Sequence, residues 1–163
     1  MGVWLSLLQF SYFFMLEVYL SSRATSFFVS TFFWLAGFLI GLNFKSPRAF
    51  PILVGAAPAA YYAAFGLLRA MPYQIRLLPA VGACIAVGGM LAGSFFPHAR
   101  DRFPKVKQLF LHENNGFVLG ILLSLLGAVF VGRHLLLWPA AAGAVPVAAL
   151  WWRERRRAEL HRQ

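Results

Sequence analysis

Apolar runs near the roughly 20 residues that a helix needs to cross a hydrocarbon core recur six times along this chain. They cover residues 3–20, 26–44, 50–68, 77–96, 116–131 and 135–152. Short polar or proline-marked intervals separate them, with Pro47, Pro72, Pro97 and Pro104 at the expected stops. The pattern predicts an all-α, polytopic bundle of six transmembrane helices over residues 1–152 and a basic tail over 153–163. The fifth run is short unless its helix begins before Gly116. That earlier start would fall within Lys105 to Asn115; Phe103, Val106 and Phe110 with Lys105, Lys107 and Gln108 suggest a short interfacial helix between helices 4 and 5, apolar side down and lysines toward head groups. Pro58 and Pro146 fall inside spans and predict kinks. The first run lacks a basic start and a small-x-small cleavage site, so it reads as a retained helix.

Small residues recur within the runs at helical spacing. Gly116, Gly120, Ser124, Ala128 and Gly132 stand four apart in the fifth, Gly89 and Gly93 in the fourth, and Gly37 and Gly41 in the second. In lipid, helices associate by close backbone approach, so these positions predict helix packing, with the fifth helix making the closest contact.

Composition agrees with the membrane class: 60% hydrophobic residues, 12% charged and a mean hydropathy of +0.68 lie far from a soluble domain. A net charge of +10 raises nucleic acid as a partner. The basic residues, however, sit between the apolar runs and at the C-terminus, where they meet lipid head groups, and no nucleic-acid module is present. With six spans, one side receives Lys45, Arg48, Arg100, Arg102, Lys105, Lys107, Arg153, Arg155, Arg156, Arg157 and Arg162; the other receives Arg23, Arg69, Arg76 and Arg133. Cytoplasmic loops are enriched in Lys and Arg, so both termini are expected in the cytoplasm, most simply of a bacterial inner membrane. Arg100, Arg102, Lys105, Lys107 and the tail Arg153, Arg155, Arg156 and Arg157 are the expected contacts to head groups or a partner.

Candidate chemistry is sparse. Glu17 is the one acid within an apolar core, and Arg23 stands six residues on. Intramembrane acids are costly, so Glu17 is a candidate for binding a cation, an amine or a hydroxyl or for relaying a proton; pairing with Arg23 is the structural alternative. Glu113, beside Asn114 and Asn115, is a second ligand or proton candidate, or an acid placed in a first helical turn to suit the macrodipole. The lone Cys84 permits no intrachain disulfide. His112 and His134 fall on opposite membrane sides, which argues against a shared haem iron, and no cofactor, metal or catalytic set is expected.

Taken in order, Glu17 with Arg23, the GFLIG of residues 37–41, the GSFFP of residues 93–97, the Glu113, Gly116 and Gly120 pattern and the turn at Gly132 and Arg133 form a series. In this series the chain resembles the membrane domain of the polytopic spermidine-synthase-like proteins. The resemblance implies a six-helix bundle like half of a larger transporter. Only eleven residues follow Trp152, with no nucleotide-binding or polyamine site among them, so aminopropyl transfer is not expected. The function expected is a non-catalytic membrane subunit that anchors or scaffolds a partner, another membrane protein or a second copy. The alternatives are a small-molecule or half-transporter site for a polyamine or other cation at Glu17, and an accessory subunit of an electron-transfer complex.

Overall fold

A computed structural model describes all residues except 21–23, 45, 47, 101–102, 104, 148 and 150–163. Five long helices carry it: α1 (Gly2–Leu20), α2 (Ala24–Leu42), α3 (Ala49–Ala70), α4 (Leu78–Ala99) and α5 (Val106–Phe130). All five are long and apolar enough to span a membrane. No strand occurs among the described residues. A short 3-10 turn, Ile75–Leu77, leads into α4, and a 3-10 segment, Gly132–Leu137, follows α5. Residues 139–147 are helical again, so the sixth apolar run is broken into two pieces within the described chain.

Two boundaries differ from the sequence expectation. Residues 106–115 are not a separate helix; they are the first turns of α5, which runs without a break to Phe130. Lys107, Gln108, Leu109, Leu111 and Glu113 have good helix propensity and no proline intervenes, so nothing in the backbone stops the helix at Asn115. Pro97 does not mark a turn: α4 passes through it and ends at Ala99. Pro58 lies inside a continuous α3, while Pro79 sits in the first turn of α4, where its missing N–H costs nothing.

Packing follows the small residues rather than the bulky ones. The most extensive contact joins α2 to α4, which run parallel. A Cβ on Gly37 would strike the backbone of Ala86, and one on Gly41 that of Met90. Conversely, Gly89 lies against the backbone of Trp34 and Phe38, and Gly93 against Phe38 and Leu42. The next contact joins α1 to α5, also parallel, with Gly2 against Glu113 and Phe117, and Gly120 against Val3 and Ser6. The most extensive seam is therefore the four-glycine one of α2 and α4 rather than the one on α5, although in both pairs glycines on each helix face the partner's backbone.

Helix α1 runs through the middle, burying Leu8, Tyr12, Met15 and Leu16 completely. Opposite it, α3 buries Ala57, Tyr61, Ala64 and Leu68, spaced three and four apart as one helical face requires. The Tyr12 and Tyr61 rings meet edge to face at 5.0 Å, an arrangement that contributes about 0.5–1.5 kcal/mol beyond burial. Each buried hydroxyl then needs an acceptor. Tyr12 donates to the Cys84 carbonyl at 3.0 Å, and Tyr61 to the Leu136 carbonyl at 2.9 Å. Tyr62, on the same helix, donates to the Leu137 carbonyl at 2.9 Å. Two tyrosines of α3 thus hold the 3-10 segment against the bundle. Ser6, Ser94 and Ser124 satisfy themselves on carbonyls three or four residues back.

Two turns close the far end. Tyr73 adopts a φ of 64°, and its N–H donates to the Tyr19 carbonyl at 2.8 Å, which occupies an open acceptor at the end of α1. Gly132 takes a φ of 58° just after α5, where a residue with a Cβ is strained.

Candidate functional site

At the end of the bundle where α1 begins, four helices border a cleft of about 190 Å³. Its existence follows from the packing. Helix α2 is held to α4 and α5 is held to α1, while α2 and α5 make no substantial contact with one another. The gap between them is floored by Leu5 of α1 and Ala92 of α4. Trp34 and Phe38 line it from α2, Phe96 from α4, and Phe110, Glu113, Asn114 and Phe117 from α5. On α5 the positions 110, 114 and 117 recur at the three-and-four spacing of one face.

Aromatic contacts shape the cleft's outer edge. Phe96 and Phe110 stack with ring centroids 4.9 Å apart and planes 29° from parallel. Phe38 meets Phe96 edge to face at 5.8 Å. These three rings form a sill that links α2, α4 and α5.

Glu113 is the charged group in the wall. Because α5 begins at Val106, Glu113 lies beyond the first turn and does not serve its own helix terminus. Instead the N–H of Gly2, free at the start of α1, donates to its carboxylate. The other oxygen, Oε1, is buried with no hydrogen-bond partner among the described residues. The close approach of Gly2 to the Glu113 and Phe117 backbone is what brings the start of α1 to this carboxylate.

Other candidate residues distribute as follows. Glu17 is half-buried on α1, about 22 Å along the helix from Gly2, so Glu17 and Glu113 occupy opposite ends of the bundle. Arg23, Arg102, Arg153, Arg155, Arg156 and Arg157 lie outside the described residues, and with them the pairing of Glu17 and Arg23. Arg100, Lys105 and Lys107 are exposed at the cleft end. Gly37, Gly41, Gly89, Gly93, Gly120 and Ser124 are buried or nearly so in helix contacts, Gly116 lies within 3.2 Å of Val3 for an added Cβ, and Ala128 is half-buried.

Sequence reasoning did not single out the cleft aromatics or the three bonded tyrosines. The spacing of Phe110, Asn114 and Phe117 was an available signal; the partners of Tyr12 and Tyr61, 72 and 75 residues away, left none. The chain matches no protein-family model, no curated protein and no solved structure.

Proposed function

We propose that this chain is a non-catalytic integral membrane protein of six spans, with both termini on the basic, cytoplasmic side of a bacterial inner membrane, whose cleft holds a lipid-soluble ligand. The observation that carries this reading is the aromatic cleft between α2 and α5 with one carboxylate in its wall. A small apolar site with a few convergent polar groups is what ligand recognition requires. A packed helix pair has no use for a gap, and filling it would add dispersion contacts. The ligand reading thus centres on Glu113 in place of Glu17.

Native mass spectrometry of the full chain, released from mild detergent, tests it. The wild-type chain should carry a small molecule that Ala92→Trp, which fills the cleft floor, lacks and Val129→Trp, on the outward face of α5, keeps. Equal retention by all three, or none in the wild type, would sink the reading.

A scaffold role is the second reading, favoured by the outward face of α5. Leu119, Leu122, Leu126 and Val129 are exposed along it, and α5 is the least buried of the five helices. A second membrane protein or a second copy of this chain would pack there. The resemblance to the membrane domain of spermidine-synthase-like proteins is compatible with either reading and belongs to this proposal.

A further inference from the structure

We propose that the occupant of the cleft is an uncharged, planar six-membered ring bearing carbonyl oxygens, the head group of a single-ring quinone. The ring would lie against the aromatic wall, and one carbonyl would accept from the Asn114 amide. The inference rests on reading the cleft as a ligand site and adds the chemistry of the ligand.

Three observations select this class. First, the space is that of one ring. At about 190 Å³ the cleft is below the roughly 300–1,000 Å³ of sites for drug-sized ligands, but above the roughly 150 Å³ of an engineered apolar cavity that takes up benzene. A six-membered ring with small substituents fits; three fused rings or an acyl chain do not. Second, the walls are aromatic. Trp34, Phe38, Phe96, Phe110 and Phe117 are five of the nine described residues that line the cleft. The faces of such rings carry the negative end of a quadrupole, so an electron-poor ring stacks on them better than an electron-rich one. Carbonyl groups are what make a six-membered ring electron-poor.

Third, the wall presents no uncompensated charge. Glu113 accepts from the Gly2 N–H and faces the Met1 ammonium, so its carboxylate is already served by the start of α1. None of the described lining residues is basic. An ammonium ligand would find the carboxylate taken, and an anion would find no counter-charge. What remains is Asn114, one residue on from Glu113 and exposed on the same wall, whose amide donates. A ring carbonyl is the acceptor that matches it. The gap lies between α2 and α5, both long and apolar enough to span a membrane, and so opens to molecules dissolved in the bilayer, as a quinone with a hydrocarbon tail is.

The test uses the full chain in mild detergent with Cys84→Ala, which removes the only thiol a quinone can alkylate. Equilibrium dialysis against matched empty micelles compares duroquinone, a tetramethyl quinone, with durene, the same tetramethyl ring without oxygens, and with anthraquinone, which carries two carbonyls on three fused rings. Duroquinone should bind about fivefold tighter than durene, as one added hydrogen bond contributes. Anthraquinone should not bind above the micelle background. Asn114→Leu, at an exposed position and so neutral for folding, should bring duroquinone down to durene. Ala92→Trp should abolish binding of both, and Phe110→Ala, also at an exposed position, should weaken it several-fold without crowding the floor. Durene or anthraquinone binding as tightly as duroquinone, in a manner that Ala92→Trp abolishes, would overturn the quinone and leave the cleft reading intact. Uptake of duroquinone that survives both Ala92→Trp and Phe110→Ala would place it outside the cleft and overturn both.

Discussion

Phe96 of α4 and Phe110 of α5 stack at 4.9 Å although their helices make little other contact. The pair is a bridge across the cleft edge, and its loss should be felt there first. Phe110→Ala removes a stacking energy of about 0.5–1.5 kcal/mol. Because Phe110 is itself exposed, the bundle should stay folded by circular dichroism while retention of bound ligand falls several-fold.

The glycines of the bundle divide into two sets that should respond with opposite signs. An alanine at Gly93 would place its Cβ against the backbone of Phe38 and Leu42, so α2 and α4 must separate. Gly93→Ala should therefore cost about 1–3 kcal/mol, as overpacking does. Gly55 and Gly66 of α3 have no atom within 4 Å of an added Cβ. Gly55→Ala and Gly66→Ala should each stabilise by up to about 1 kcal/mol through helix propensity. Reversible unfolding in mixed micelles reads both signs.

Tyr61→Phe keeps the ring contact with Tyr12 and removes the donor to the buried Leu136 carbonyl. An acceptor left unpaired in the interior costs about 1–3 kcal/mol. Tyr62→Phe, at a half-exposed position, should cost less. Hydrogen exchange should show the loss of protection concentrated at residues 132–137 in the first variant.

The proposed topology is open to cysteine labelling, since Cys84 is the only native thiol. In a Cys84→Ala background, Ser46→Cys should react with a membrane-impermeant maleimide only after the cells are opened. Arg133→Cys should react in intact spheroplasts. The reverse pattern would invert the bundle, and labelling of both from outside would end the six-span reading.

How far the fold was legible depends on the range of the interaction. Spans such as Ala49–Ala70 are written in local hydropathy, and the small-residue pairs at 37, 41, 89 and 93 mark close approach within each helix. Which helices would meet was not legible: α5 carries the longer small stripe, while the most extensive seam joins α2 and α4. Glu113 shows the same limit. Its neighbours in sequence suggested a cap for its own helix, but α5 extends back to Val106 and the carboxylate serves α1, more than 100 residues earlier in the chain. The cleft is less legible still, because it is a place where two helices fail to pack, and absence of contact leaves no local pattern.

Photo-crosslinking from inside the cleft tests the central claim most directly. Phe117→p-benzoylphenylalanine puts the reactive ketone in the cleft wall, and Val129→p-benzoylphenylalanine puts it on the outward face of α5. On irradiation in native membranes, the first should yield one adduct of discrete lipid mass, and the second a spread of bulk lipids or a protein partner. The same spread of adducts from both positions, or a protein adduct at 117, would contradict a ligand site between α2 and α5.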